Sequence, residues 1–228
     1  MRKTSEKEDL KGREMALSPG QMRAPMIPGG LPEMMGEIPE PAAQKPTLLL
    51  HSCCGPCSTA VIETLAGEFA ITVFFYNPCI TEEEEYIRRR ETQKDFLRAY
   101  NEKHPDKDEI RFLEGPYQPE EFFRMAQGLE EEPEGGARCG LCFAQRLEKT
   151  AETAGAGGFD YFGTTLTVSP HKNYRVISRT GREIAARYGL SFLDRDFKKK
   201  DGFKRSVQLS ESYGLYRQNY CGCRFSMR

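Results

Sequence analysis

The sequence predicts an α/β protein built on a doubly wound parallel sheet with helices on both faces. Two observations carry this prediction. From Thr47 onward, short apolar runs alternate with longer segments of helical composition, a pattern typical of parallel sheets with right-handed crossovers. The run FAITVFFYNP at residues 69–78 is apolar along most of its length, as expected for a central strand covered on both faces.

The first predicted elements are a buried strand at residues 47–52 and a helix at residues 58–67. Ser58 is a suitable N-cap for that helix, because its hydroxyl can accept a backbone hydrogen bond. The later elements, in chain order, are a strand at 69–78, a helix at 82–104 with an acidic first turn, a strand at 108–117, a helix from about 138 to 155, a strand at 160–170, a helix at 172–188 and a strand at 191–197. In such sheets, ligands bind beyond the carboxyl ends of the strands.

Residues 1–45 differ from the rest in composition. They are rich in Met, Pro, Gly and charged side chains and show no sustained hydrophobic period. We therefore expect a disordered tail, or alternatively a short amphipathic anchor. The domain that carries the function is expected to span residues 46–228.

The bulk composition narrows the function classes. The formal net charge is −1 with 29% charged residues, so no global basic field indicates nucleic acid, although a local basic face remains compatible with it. No apolar run is long enough to span a membrane, and the N-terminus lacks the apolar core of a secretory signal. We expect a cytoplasmic protein. Its eight cysteines then indicate metal binding or redox catalysis rather than disulfides.

Seven of the eight cysteines fall into three short motifs. These are HSCCGPCS with Cys53, Cys54 and Cys57, RCGLC with Cys139 and Cys142, and YCGC with Cys221 and Cys223. Two residues between cysteines let both sulfurs turn toward one metal. A structural zinc site would use four of them and leave three idle, and buried free thiols are a further alternative. Seven sulfurs match a four-cysteine cluster plus a second, open metal ion. Cys79 stands apart and is interpreted as an incidental buried thiol.

The motifs HSCCGPCS, YNP with EEEYIRR, ARCGLCFAQRL, TTLTVSPHKN and LYRQNYCGCRFS occur in this order. With them, the sequence resembles the cobalamin-independent epoxyqueuosine reductase family, QueH, over roughly residues 46–227. The resemblance implies a HUP-like, Rossmann-type fold and a [4Fe–4S] cluster with an adjacent iron ion. The implied reaction is reduction of epoxyqueuosine to queuosine at the wobble position of tRNA, the oxygen leaving as water. The implied partners are that tRNA and an unidentified electron donor of the ferredoxin or flavodoxin kind.

The resemblance also implies the ligands. The family's cysteine positions, which bind the cofactors, are matched by Cys53, Cys54, Cys139, Cys142, Cys221 and Cys223. Cys57 falls where some members carry an Asp, so it is expected to bind the additional iron and to take part in catalysis. Family members often have Asn at the position of Cys79, which speaks against an essential ligand there.

The remaining polar motifs supply two further catalytic predictions, Arg217 and Thr165. Arg217 precedes a ligand cysteine, and a guanidinium can bind phosphate or stack on a base. Thr165 follows the fourth strand with Thr164 and Ser169, and is either a hydrogen-bond donor in the site or β-branched strand filling. Positive charge near the site is expected from the run KKKDGFKR at residues 198–205, from Arg138 and from Arg224. Whether Lys198–Lys200 and His171 contact tRNA stays open; His171 is either a proton donor, a phosphate contact or a surface residue.

Two other functions compete with the reductase. One is a non-enzymatic zinc-binding module that holds RNA. The other is a HUP-fold, ATP-dependent tRNA thiolase, which requires an SGGxDS-like phosphate loop after the first strand. HSCCGPCS occupies that place, and no GxxxxGK[ST] or GxGxxG motif follows a strand. Thiolates repel phosphate, so this sequence disfavours ATP.

Overall fold

The protein folds around a five-stranded, all-parallel sheet with strand order β3-β2-β1-β4-β5. The computed structural model describes residues 45–227, so the predicted disordered tail lies outside the described residues except for Lys45. The strands are β1 (Thr47–His51), β2 (Ala70–Phe75), β3 (Arg111–Glu114), β4 (Tyr161–Thr164) and β5 (Ser191–Phe192). The predicted α/β class and doubly wound parallel sheet are confirmed.

Six α-helices are present among the described residues. They are α1 (Gly55–Leu65), α2 (Glu83–Lys103), α3 (Pro119–Ala126), α4 (Ala137–Ala156), α5 (Tyr174–Tyr188) and α6 (Gly202–Ser212), with short 3₁₀ turns at Thr165–Val168 and Arg224–Ser226. Within this part of the chain, no helix is long and apolar enough to cross a membrane.

Several element boundaries differ from the sequence-based expectation, among them those of α1, β4 and β5. The N-cap assignment of Ser58 is wrong: α1 begins at Gly55 with Cys54 as its N-cap, because proline fits the first helical turn. The hydroxyl of Ser58 instead donates to the carbonyl of Gly55 at 2.8 Å. β4 ends at Thr164, whose hydroxyl accepts from the amide of Leu166 and caps a 3₁₀ turn. β5 covers only the first two residues of the predicted strand at 191–197.

The central strand β1 is buried on both faces. Leu48 and Leu50 pack with apolar side chains of α1 and α2, and Leu49 packs with those of α4 and α5 on the other side. All three leucines are fully buried. Two layers of helix therefore cover the parallel sheet, as its apolar sequence requires.

Burial in this core sets the first testable expectation. Replacing Leu48 with alanine is expected to lower the free energy of unfolding by about 2–5 kcal/mol, because it removes a fully buried side chain and leaves a cavity. The matched control is Leu113→Ala on the edge strand β3, where the side chain is 38% exposed; its cost should be about 1 kcal/mol or less. Urea denaturation of both variants measures the difference. Equal losses would contradict the assignment of β1 to the centre of the sheet.

His51 joins the carboxyl ends of the three central strands. Its Nδ1 lies 3.0 Å from the hydroxyl of Thr164 on β4, and its Nε2 lies 3.1 Å from the carbonyl oxygen of Tyr76, just after β2. Burial, with a smaller contribution from Arg146, lowers the pKa of His51 to about 3. The neutral imidazole of His51 thus links β1 to β4 and to the end of β2. The strand order switches between β1 and β4, and such sheets bind ligands at the carboxyl edge beside this switch.

Candidate metal centre

The first sulfur group lies where β1 turns into α1. The sulfurs of Cys53, Cys54 and Cys57 all lie within 4.8 Å of one another, and those of Cys53 and Cys54 are 3.9 Å apart. Cys54 is the N-cap of α1 and Cys57 lies in its first turn. The partial positive charge at a helix N-terminus favours thiolates over thiols.

The backbone of this turn is fixed against α2. A Cβ at Gly55 would lie 2.8 Å from the carbonyl oxygen of Thr92, so only glycine permits this approach. The hydroxyl of Ser52 donates to Oε1 of Gln93 at 2.8 Å, and Nε2 of Gln93 donates to the hydroxyl of Ser58 at 3.0 Å. The three sulfurs are thus presented by a rigid loop.

Hydrogen bonding within the group sets its ionisation. Hydrogen bonds with Cys54 and Cys57 lower the pKa of Cys53 well below its usual value. The hydrogen bond with Cys53 in turn raises the pKa of Cys54 to about 12. Cys53 is therefore the first of the three to ionise. A metal ion bound by all three would displace the remaining thiol protons.

A second sulfur group lies beside the first. Cys79, Cys142 and Cys223 are buried in one cluster, with the half-exposed Cys139 and Cys221 nearby. A hydrogen bond with Cys142 lowers the pKa of Cys79 to about 6. Sequence spacing left Cys79 without a partner, but its position directly after β2 places it at the same carboxyl edge as the other cysteines.

The loop that carries Cys221 and Cys223 is anchored to the loop after β2. The amide of Thr81 donates to the carbonyl of Gly222 at 3.2 Å, and the amide of Arg224 donates to the hydroxyl of Thr81. Gly222 has φ +115°, a left-handed conformation that favours glycine. These contacts bring the YCGC motif to the other two, although it comes last in the sequence.

The buried guanidinium of Arg89 on α2 holds the same loop. Its Nη1 and Nη2 donate to the carbonyls of Cys221 and Tyr220 at 3.0 and 3.2 Å, and its Nε pairs with Glu85 at 2.6 Å. Only 1% of the Arg89 side chain is exposed. A second helix thereby fixes the backbone between two ligand positions.

Two further cations face the sulfurs. Burial alone would lower the pKa of Arg146, but the charges of Cys142 and Cys79 outweigh it and raise that pKa overall. The half-buried Lys172 behaves in the same way: burial lowers its pKa, and Cys221 and Cys53 raise it by more. Both cations are stabilised by the negative charge that thiolates would bring.

An open cavity of about 680 Å³ adjoins the sulfurs. Three cysteines line it: Cys53 and Cys57 from the first sulfur group, and Cys221 from the YCGC loop. The polar side chains that share its wall are Glu134, Ser169, His171, Lys172, Arg217, Gln218, Asn219, Tyr220 and Ser226. Another depression, of about 540 Å³, lies at the opposite edge of the sheet near Thr47 and Arg111 and has no cysteine in its wall. Because cysteines line only the larger of these two cavities, we place the candidate site there.

The predicted catalytic residues occupy different positions. Cys57 and Arg217 line the cavity, and the guanidinium of Arg217 lies 5.3 Å from the ring centre of Phe203. Thr165 is fully buried in the 3₁₀ turn after β4, with no partner for its hydroxyl among residues 45–227, and it is absent from the cavity wall. Its catalytic role stays a prediction.

One other expectation changes with the structure. Arg138 does not supply charge at the mouth of the cavity; this prediction is wrong, because its side chain is buried and donates to the carbonyls of Leu129 and Glu130. Gln218, the neighbour of Arg217, contacts a sulfur: its Nε2 donates to Cys54 Sγ at 2.9 Å. Amide donors of this kind stabilise thiolate ligands.

The donor set fits a metal–thiolate centre. All eight cysteines are free thiols, they meet at one edge of the sheet, and buried cations surround them. The triad of Cys53, Cys54 and Cys57 can hold a metal ion, and the cavity leaves a side of it open to another ligand. An open coordination position is a property of catalytic rather than structural sites.

Comparison with known proteins gives the family. A family model described as epoxyqueuosine reductase QueH matches residues 48–228. Curated proteins named epoxyqueuosine reductase QueH include one from Streptococcus pyogenes serotype M1, 43% identical over 86% of this chain and 76% of its own. One from Staphylococcus epidermidis is 42% identical over 80% and 77%, and one from Haemophilus influenzae is 38% identical over 79% and 71%. The chain therefore belongs to the epoxyqueuosine reductase QueH family.

Proposed function

We propose that this protein reduces epoxyqueuosine to queuosine in the anticodon of tRNA, with a [4Fe–4S] cluster and an adjacent iron ion as cofactors. The observation that carries the proposal is the cavity into which Cys53, Cys57 and Cys221 open between basic side chains. Family membership supports the substrate, since the relatives are named epoxyqueuosine reductases. The ligand assignment is supported by the grouping of the sulfurs.

The reaction is a two-electron reduction that consumes two protons. Both carbon–oxygen bonds of the epoxide break, a carbon–carbon double bond forms, and the oxygen leaves as water. Electrons come from a one-electron donor protein of the ferredoxin or flavodoxin class. When bound, an iron–sulfur cluster supplies electrons one at a time, and an iron ion with an open position supplies a Lewis acid for the epoxide oxygen.

The chain's own residues perform the binding and the positioning. Cys53, Cys54 and Cys57 provide three of the sulfurs, and the rigid turn between β1 and α1 fixes them. Gln218 and Arg217 follow one another on the cavity wall, where the first supports Cys54 and the second offers a planar cation to phosphate or base. His171, exposed on the same wall, provides an imidazole that can hydrogen-bond to the substrate.

The two sulfur groups support different roles: one for an open metal position and the other for a shielded cluster. The open position belongs near Cys53, Cys57 and Cys221, which line the cavity. The buried sulfurs Cys142 and Cys223 are suited to a cluster shielded from solvent. Cys79 lies with this second group.

One preparation tests the cofactors and the competing functions together. Protein purified without oxygen should contain iron and sulfide and should convert epoxyqueuosine in tRNA when a one-electron reductant is present. A colourless protein with zinc and no sulfide would contradict the reductase and favour the RNA-binding module. Turnover that requires ATP would favour the thiolase instead.

A basic loop next to the cavity is proposed to bind the tRNA backbone. The ammonium of Lys198 donates to the carbonyl of Lys172 at 3.1 Å, which attaches the Lys198–Lys200 run to the cavity wall. Lys198 is occupied by this contact and by Asp196. Lys199 and Lys200 are exposed and are the members of the run that remain for phosphate.

Replacing Lys199 and Lys200 with glutamate should raise the KM for tRNA about tenfold, since an exposed ion pair contributes about 0.7 kcal/mol and 1.4 kcal/mol is a factor of ten. The dependence of KM on salt should flatten, because fewer counterions are released. Steady-state kinetics at several salt concentrations measure both effects, with metal content unchanged. The matched control is the same double charge reversal at Lys103, the last residue of α2, and at Lys107 just after it. An equal rise in KM for the control would show a nonspecific charge effect.

A further inference from the structure

Arg146 is a buried cation close to the cysteines of the candidate metal centre. It lies on α4, one turn after Cys142, and its side chain is 1% exposed. Its Nε donates to the carbonyl oxygen of Cys142 at 3.2 Å. Its Nη2 is buried and has no hydrogen-bond partner among the residues that the structure describes.

The charge of Arg146 has no carboxylate to balance it. Within residues 45–227, no Asp or Glu oxygen lies within 4.0 Å of its guanidinium. Of the other buried arginines, Arg89 pairs with Glu85. Arg138 also has no carboxylate partner among the described residues and its Nε is unpartnered there, but its Nη1 donates to two carbonyls. A buried charge without a partner costs several kcal/mol. The fold therefore requires another anion beside Arg146.

Sulfurs are the groups that supply negative charge at that position. Those that act on the guanidinium are Cys142, Cys79, Cys221 and Cys53. They come from α4, from the loop after β2, from the YCGC loop and from the turn after β1. One arginine thus interacts with the charges of cysteines from every part of the centre, and it is not among the residues of the cavity wall.

We propose that Arg146 is the fixed counter-charge of the metal–thiolate centre, which it stabilises in the ionised, metal-bound form and whose reduction potential it raises. The first half of this inference holds for any metal bound by these thiolates; the second rests on the proposed reductase. When the donor protein transfers one electron, the centre gains one negative charge. A guanidinium keeps its proton at all relevant pH values, so it stabilises the reduced form more than the oxidised one.

Arg146 is a positioning residue in this scheme. It acts through the sulfurs and contacts no substrate, since it is absent from the cavity wall. Its removal should therefore change the metal centre and the rate that depends on it, and should leave the KM for tRNA unchanged. Removing a residue that bound the tRNA would instead raise the KM for tRNA and leave the metal centre unchanged.

Three variants separate charge from packing. Arg146→Gln keeps a donor for the carbonyl of Cys142 and removes the charge. Arg146→Met is neutral and of similar length, so it removes the charge while it keeps most of the packing volume. Arg146→Lys keeps the charge. The control is Lys149→Gln, one turn further along α4, where the ammonium pairs with Glu152 at 2.9 Å on the surface.

Two measurements on the metal-loaded proteins decide the matter. One is the reduction potential, from an anaerobic titration followed by electron paramagnetic resonance; the other is the rate at which a chelator removes the metal. In the Gln and Met variants we expect a lower potential and metal loss about 10- to 100-fold faster, the usual effect of removing a group that supports metal ligands. The Lys variant and the Lys149→Gln control should stay close to the unmodified protein.

Other outcomes overturn the inference. An unchanged potential together with unchanged metal loss in the two neutral variants would show that Arg146 balances no charge. Equal defects in Arg146→Lys and Arg146→Gln would assign it a purely geometric role. If the unmodified protein holds zinc, the reductase proposal and the potential shift fail together, while the chelator measurement still decides whether Arg146 stabilises the thiolates.

Discussion

Replacing Cys57 with alanine should abolish most of the reductase activity while the protein remains folded. Cys57 supplies one of three sulfurs that lie within 4.8 Å of one another, and it lines the cavity. Loss of a metal ion that acts as a Lewis acid removes several kcal/mol of transition-state stabilisation, which is about a 10³-fold loss in kcat. Single-turnover assays with epoxyqueuosine tRNA, together with iron analysis of the same sample, measure the effect.

The matched variant is Cys57→Asp. A carboxylate is an alternative iron ligand of similar reach, so part of the iron and of the activity should return. The sulfide content should stay the same in both variants, because the remaining cysteines would still hold the cluster. Full turnover in Cys57→Ala with a reduced iron content would contradict the assignment of Cys57 to the catalytic ion.

Replacing Arg89 with methionine should produce the largest loss of stability. The change leaves Glu85 without its ion pair, although that carboxylate is only 11% exposed, and it frees the carbonyls of Tyr220 and Cys221. Removing one partner of a buried pair costs about 3–5 kcal/mol. Because the same guanidinium fixes the YCGC loop, metal content should fall as well. Denaturant titration and metal analysis measure the two losses.

The adjacent residue provides the control for this variant. Arg90 also pairs with glutamates, Glu91 and Glu114, but 27% of its side chain is exposed. Arg90→Met should therefore cost about 1 kcal/mol or less and leave the metal in place. Similar losses of stability and metal in both variants would contradict the role given to Arg89.

The sequence alone predicted the sheet and seven of the clustered sulfurs because both depend on short-range patterns. Apolar runs identify parallel strands, and cysteines separated by no more than two residues bring their sulfurs together within a short stretch of chain. The helix α3 was missed, since its eight residues lie in a Glu-rich stretch and only two of them, Phe122 and Ala126, are buried. Their spacing of four residues was the available signal.

Other features of the site depend on contacts between distant segments. Nothing near Cys79 in the sequence indicates Cys142, and the two meet because the loop after β2 and the start of α4 lie at the same edge of the sheet. Arg146 was not recognised as part of the centre because a helical arginine is usually exposed. Its burial follows from packing, which residue spacing does not encode.

The joining of the YCGC loop to Thr81 has a consequence for biosynthesis. Cys53 and Cys57 emerge from the ribosome with the first crossover, whereas Cys221 and Cys223 follow every strand of the sheet. The hydrogen bond from the amide of Thr81 to the carbonyl of Gly222 therefore cannot form until the whole sheet has been translated. A metal centre that includes Cys221 or Cys223 can therefore be completed only after all five strands have been translated.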